Sequence, residues 1–163
     1  LRTYDTTGLS AADKLTYDFY EWYLQDAVEA QDFLYYPFAA AYNFMGEHTG
    51  TETFFTEIHP LRSVDDANDY ITRLRDLPRK FDDLIEFLDL QSGAGIVEPR
   101  LTIGFSLYGI DQIADATATN VSYYTTFRAK LDGNAGLSHA DRQALLNRAE
   151  AATRDHVIPA YRA

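Results

Sequence analysis

The amino-acid sequence predicts an all-α fold, an irregular multi-helix bundle of about five to seven helices without a sheet. Apolar residues recur at spacings of three and four along most of the chain, and three Ser-x-x-Asp motifs mark helix starts. No stretch alternates apolar and polar residues as a half-buried strand would. A length of 163 residues suits one domain with its own core, so we expect a single helical domain over residues 1–163.

The first predicted helix is long and aromatic. Ser10 and Asp13 form a capping box, in which the serine hydroxyl accepts a hydrogen bond from the backbone N–H three residues later. A helix is therefore expected from Ala11 to about Tyr36. Helical spacing assigns most of the aromatic residues in the range 17–55 to the core, because large rings contribute strongly to stability when buried.

Proline and glycine divide the next stretch. Pro37 is expected to end or kink the first helix, and a shorter helix can follow until Gly46. The residues from Gly46 to Thr53 are typical of a loop, and His59 before a proline favours extended backbone. Little regular structure is expected between these points.

Residues 61–100 predict two amphipathic helices. Ser63 and Asp66 form a second capping box, and apolar residues then line one face. Pro78 lacks a backbone donor, so the first of these helices should stop or kink there and a second should begin. Gly95 supplies the left-handed conformation that commonly ends a helix.

The remaining helices complete the bundle. The segment from Leu101 to about Ala116 is apolar nearly all round, so we expect it to be the most buried helix, with Gly104 and Gly109 in close contact with a neighbour. A short helix is predicted for 122–131. The last helix is predicted to begin at a third capping box, 138–141, and to be interrupted at 159. It stops without a capping residue, which favours an N-terminal fragment of a longer protein.

The charge of the chain excludes some partners. A formal net charge of -11 argues against nucleic acid, because phosphate binding requires a positive field. No apolar run reaches the length of about 18 residues that a membrane-spanning helix needs. The chain has no cysteine, so it forms no disulfide framework and no cysteine-ligated zinc site.

The histidines and acidic residues do not have the spacing that a metal site or a catalytic site requires. The four histidines, His48, His59, His139 and His156, do not have the spacing of a zinc site, and ordinary solvated or locally bonded histidines are favoured. The run from Asp132 to Gly136 resembles the start of a calcium loop, but Leu137 and Gln143 occupy the positions that require Gly and Glu. The acidic rows around Asp65 and Asp82 fall on outward helix faces. We predict no catalytic, cofactor-binding or metal-binding residue.

One surface remains as a candidate binding site. Aromatic side chains flank the break at Pro37, and a histidine and an arginine precede the central helices. A groove for a substrate or partner is therefore a hypothesis, with these residues: Tyr35, Tyr36, Tyr42, His59 and Arg62.

Four short segments carry a resemblance to a known family. They are PLR at Pro60–Arg62, LRDLP at Leu74–Pro78, GIVEPR at Gly95–Arg100 and IPAYR at Ile158–Arg162. In these segments and in the order of the predicted helices around them, the chain resembles the N-terminal half of the bacterial domain of unknown function 885 family. The likeness covers almost the whole chain.

The resemblance implies a parent protein with a chemistry that this chain lacks. Members look like secreted proteins or lipoproteins similar to gluzincin-type zinc metallopeptidases, with a zinc motif of His-Glu followed by Pro-Gly-His-His in the C-terminal half. No histidine in this chain precedes a glutamate, and no glycine precedes a histidine. The resemblance thus implies zinc for the missing half only, and export to the periplasm or a lipid anchor.

Two functions follow as hypotheses. The first is a non-catalytic N-terminal helical domain of an exported zinc-metallopeptidase-like hydrolase, which supports or lines a substrate cleft and has the C-terminal half as its partner. The second is a free-standing helical module that binds a protein or a ligand, with a homodimer as one form. Sequence alone leaves both open.

Overall fold

The computed structural model describes residues 3–36, 46–133 and 137–163. All regular structure in these ranges is helical and no strand occurs in them, so the all-α prediction is confirmed. The chain divides into two compact units, Leu1–Pro37 and Phe38–Ala163. The prediction of one domain over the whole chain stays a prediction.

The described residues of the first unit form one helix and a short extension. Helix α1 spans Ala11–Glu29 and continues as a 3-10 turn over Ala30–Phe33, so it ends earlier than expected. The Ser10 hydroxyl accepts from the backbone N–H of Asp13 at 3.2 Å, as the capping box predicts. The helix begins where local chemistry alone places its start.

The aromatic residues of α1 do not form a core, which corrects the prediction. Trp22 is 61% exposed, and Phe19 and Tyr23 are also more than half exposed. The rings contact one another along the helix, as Phe19 and Trp22 do at 5.9 Å between centroids. Helical spacing identifies an apolar face, but that face is buried only where another element packs against it. The single helix of this unit has no second α-helix among the unit's described residues to cover its aromatic face.

The second unit begins with helical structure where a loop was expected. Helix α2 spans Glu47–Thr53, and a π-helical turn follows over Phe54–Ile58. Long-range contacts explain this helix. Lys80 donates to the Thr51 hydroxyl at 2.7 Å and pairs with the Glu47 carboxylate at 2.8 Å, which ties α2 to the longest helix of the unit.

Helix α3 spans Val64–Gly93 as one helix, so the predicted end at Pro78 and the start of a second helix there are wrong. Residues before and after the proline are buried on the same face, namely Ala67, Tyr70, Ile71, Leu74, Leu77 and Phe81. Burial of that continuous face stabilises the helix across the missing hydrogen bond. The helix ends as predicted: Gly95 has φ 78°, and the N–H of Ile96 donates to the carbonyl of Gln91 at 3.0 Å.

Four further helices follow α3 in the described part of the chain. They are α4 at Arg100–Ala114, α5 at Ser122–Asp132, α6 at His139–Ala152 and α7 at Ile158–Arg162, with a π-helical turn at Thr153–Val157 between α6 and α7. Helix α3 packs against α6, the second π-turn and α7, while α5 packs against α6 and the first π-turn. Ser138 caps α6 through the N–H of Asp141 at 3.1 Å, as predicted.

Helix α4 is not the most buried helix, which corrects a second expectation. It packs on α7, and only Ser106, Ile113 and Ala114 are buried along it. Leu101 is 74% exposed. A Cβ added at Gly104 would meet nothing within 4 Å, so the predicted close helix contact there is wrong. At Gly109 such an atom would lie 3.9 Å from the His48 ring.

Candidate functional site

One cluster of polar residues with long-range partners in the second unit lies around His59. This residue follows the first π-turn and is 2% exposed. Its Nδ1 lies 2.6 Å from the carbonyl oxygen of Pro60. A carbonyl only accepts, so Nδ1 carries the proton and Nε2 is an acceptor, to which Arg73 donates from Nη1. The geometry therefore requires a neutral imidazole with both nitrogens occupied.

The electrostatics agree with a neutral ring. Burial lowers the pKa of His59 below its ordinary value of 6.5, and the positive charges of Arg73 and Lys130 lower it further, while the hydrogen bond to Pro60 partly offsets these effects. A group with both nitrogens engaged and beside two cations is poorly suited to bind a metal ion or to accept a substrate proton.

Lys130 completes this cluster from α5. Its Nζ donates to the carbonyl oxygens of His59 at 2.9 Å and of Phe55 at 3.2 Å. The π-helical pattern would give Phe55 its donor from Pro60, which has no backbone N–H. Lys130 replaces that donor, and burial lowers the pKa of its amine. Its role is to end the π-turn.

The substitution Lys130→Met tests this role. The apolar side chain is of similar length but leaves both carbonyls without their donor, so we expect a loss of about 2 kcal/mol in the free energy of unfolding. Arg128→Met on the same helix removes an exposed cation and should cost less than about 1 kcal/mol. Urea denaturation of both variants provides the comparison, and equal losses would contradict the assignment.

Buried phenols form a second network beneath the first. Tyr70 donates to the carbonyl of Tyr123 at 2.8 Å, and Tyr161 donates to the carbonyl of His48 at 3.1 Å. The hydroxyls of Tyr123 and Tyr161 lie 2.7 Å apart, so Tyr123 donates to Tyr161. Burial raises the pKa of all three phenols. They stay neutral, and they join α3, α5, α7 and α2 within the core.

An open groove of about 460 Å³ lies beside the His59 cluster. Arg73 is shared between them, and His59 itself is not a lining residue. Three of the charged side chains that line the groove form ion pairs: Lys80 binds Glu47, which is not a lining residue, and Arg79 lies 3.7 Å from Asp83. The groove thus combines apolar side chains with charges that are in part already paired.

The residues of the predicted groove fall in different parts of the chain. Tyr35 and Tyr36 belong to the first unit, where Tyr36 contacts Phe33 at 5.6 Å between centroids. His59 is buried in the second unit. Arg62 is exposed there, with its backbone N–H donating to Asp66 at 2.8 Å. Tyr42 lies outside the described residues. The groove formed by all five stays a prediction.

The described residues do not provide a zinc site. Within ranges 3–36, 46–133 and 137–163, no three His, Asp or Glu side chains come together to hold a metal. His48 and His59 are buried, His139 is exposed at the start of α6, and His156 lies in the second π-turn. Most of the acidic side chains of α3, including Asp65 and Asp82, are exposed as predicted.

Sequence reasoning did not find Arg73, Lys130 or the tyrosine network. Nothing near Arg73 in the sequence indicates its contact with His59, fourteen residues earlier. The proline after His59 was the one available signal. It removes a backbone donor at a helix end, which creates a need for a donor from elsewhere.

None of the helices in the described part of the chain combines the length and the apolar character needed to span a bilayer. No curated protein and no solved structure matches the sequence. A family model described as "Bacterial protein of unknown function (DUF885)" matches residues 1–163, the whole chain. The chain therefore belongs to the DUF885 family of bacterial proteins of unknown function.

Proposed function

We propose that this chain is a non-catalytic helical segment of an exported, zinc-metallopeptidase-like hydrolase, where it supports or lines the substrate cleft. The zinc and the water-activating groups then belong to the C-terminal half of the same protein, as the resemblance implies. Membership of the DUF885 family supports the resemblance on which this assignment rests.

The state of His59 is the observation that carries the proposal. Its two nitrogens bond to Pro60 and Arg73, and its ring is buried, so it acts as a structural residue. The buried tyrosines are likewise used within the core. Interactions of this kind hold helices in fixed positions, which is what a wall of a substrate cleft requires.

Exposed apolar side chains supply further support. Trp22 on α1 and Leu101 and Tyr108 on α4 are each more than 60% exposed. Exposed large apolar side chains of this kind are common where a protein packs against another segment. The C-terminal half of the parent protein is the proposed partner.

A free-standing interaction or ligand-binding module is the second candidate. The exposed aromatic stripe of α1 favours it, because rings such as Phe19 and Trp22 are enriched at protein interfaces. This second hypothesis requires no further polypeptide, and a homodimer is one form that it allows. It differs from the first proposal in predicting no zinc and no hydrolysis for the complete gene product.

The test uses that complete gene product. We expect its sequence to contain the His-Glu and Pro-Gly-His-His motif beyond residue 163, and the purified protein to bind zinc and hydrolyse peptides. Removal of zinc by a chelator should abolish hydrolysis, and added zinc should restore it. A gene product that lacks the motif and binds no zinc would contradict the proposal and support the second candidate.

A further inference from the structure

A second cleft lies between the C-terminal half of α3 and α4, away from the His59 cluster. It has a volume of about 270 Å³. Its walls are formed mainly by aliphatic side chains, namely Leu88, Ile96, Val97, Ile103, Leu107 and Ile110. The volume is close to the lower end of small-molecule sites, about 300 Å³. A small apolar ligand matches this space.

One carboxylate interrupts the apolar wall. Glu98 lines the cleft, and its Oε1 is buried without a hydrogen-bond partner among the described residues. Glu98 alone carries a charge among the described residues that line the cleft. Buried acceptors are normally bonded, and buried charges are normally paired. Gln91, Ser92 and Ser106 also line the cleft, but none of them forms a hydrogen bond to Oε1. The carboxylate therefore lacks a donor, and a positively charged donor fits best.

We infer that this cleft binds a small amphiphilic cation, an ammonium group on an alkyl or aralkyl body, with Glu98 as the counter-charge. The aliphatic walls would cover the body of the ligand, and its N–H groups would supply the hydrogen bonds that the carboxylate lacks. Glu98 as a whole is half-buried, so its carboxylate has room to rotate toward the bound cation. This inference does not depend on the proposed function.

Charge and shape together make the choice of ligand specific. A neutral alcohol of the same length would fill the apolar space but leave Glu98 unpaired. A fatty acid would place a second carboxylate beside the first, in a chain with a net charge of -11. Of these three ligands, only the ammonium compound both fills the apolar space and pairs with the Glu98 carboxylate.

The experiment is calorimetric titration of the intact chain with n-octylammonium, octan-1-ol and octanoate. We expect octylammonium to bind at least about tenfold more tightly than octanol, and octanoate to bind most weakly. Glu98→Gln should weaken octylammonium binding at least about tenfold and leave octanol unchanged. Glu86→Gln, which removes an exposed carboxylate of α3 outside the cleft, should leave octylammonium binding unchanged.

A second variant separates binding from folding. Ile103→Trp fills the cleft from α4 while keeping Glu98, so octylammonium and octanol should both lose affinity. Circular dichroism and melting curves check that each variant is folded. Glu98→Gln should melt no lower than the wild type, because it removes a charge whose Oε1 is buried without a hydrogen-bond partner. Octanol binding as tightly as octylammonium, equal effects of Glu98→Gln and Glu86→Gln, or no binding of any probe would each overturn the inference.

Discussion

Phe127→Ala is expected to lower the free energy of unfolding by about 3 to 5 kcal/mol. Phe127 lies on α5, is fully buried, and packs against Tyr70 with ring centroids 5.0 Å apart. Truncation removes its buried apolar surface and leaves a cavity between α3 and α5, which the neighbouring phenol cannot fill without losing its hydrogen bond to Tyr123. The loss should therefore be near the upper part of that range.

Phe105→Ala is the matched control. Phe105 lies on α4 and is 52% exposed, so the same truncation there should change the free energy of unfolding by less than about 1 kcal/mol. Urea denaturation followed by circular dichroism measures both variants. Similar losses at the two positions would mean that α5 does not contribute to the core as described.

The stability of the chain is also expected to fall as the pH is lowered through about 6.5. The pKa of His59 is lowered in the folded state, so between 6.5 and the lower folded value the unfolded chain binds more protons at this site than the folded chain. Acid therefore favours unfolding. Protonation of the folded protein would also place a cation beside Arg73 and remove the acceptor for its guanidinium.

The variant His59→Gln isolates this contribution. The free energy of unfolding of the wild type is measured from about pH 8 to about pH 5, and the variant should show a smaller decrease over that range even if it is less stable throughout. His139→Gln, which changes an exposed histidine at the start of α6, should keep the wild-type dependence. If His59→Gln retained the full decrease, His59 would not be the group responsible.

Helix starts were predictable because their chemistry is local. Ser10, Ser63 and Ser138 each accept from the backbone N–H three residues later, as the sequence indicates. The end of α3 was predictable for the same reason, since Gly95 adopts the left-handed conformation that the helix end requires. These features depend on residues within one turn of each other.

Features that depend on distant contacts were not predictable. A proline at 78 predicts a break, but α3 continues because its buried face extends on both sides of that residue. Helix α2 forms in a loop-like sequence because Lys80 binds Glu47 and Thr51 from 29 residues away or more. In each case tertiary packing outweighs the local preference.

The same limit applies to burial and to the candidate sites. Apolar spacing marks a helix face, but it does not state whether another element covers that face, so the exposure of α1 and α4 was missed. The contact of Arg73 with His59 and the buried oxygen of Glu98 depend on where helices meet. The sequence provided candidate residue types, and only the three-dimensional arrangement shows which of them have partners.

The zinc content of residues 1–163, measured beside that of the complete gene product, tests the central claim most directly. The proposal predicts stoichiometric zinc and peptide hydrolysis in the complete product, and neither in residues 1–163 alone. Stoichiometric zinc or zinc-dependent hydrolysis in residues 1–163 would contradict it, because the chain would then supply chemistry that its side chains are proposed not to perform.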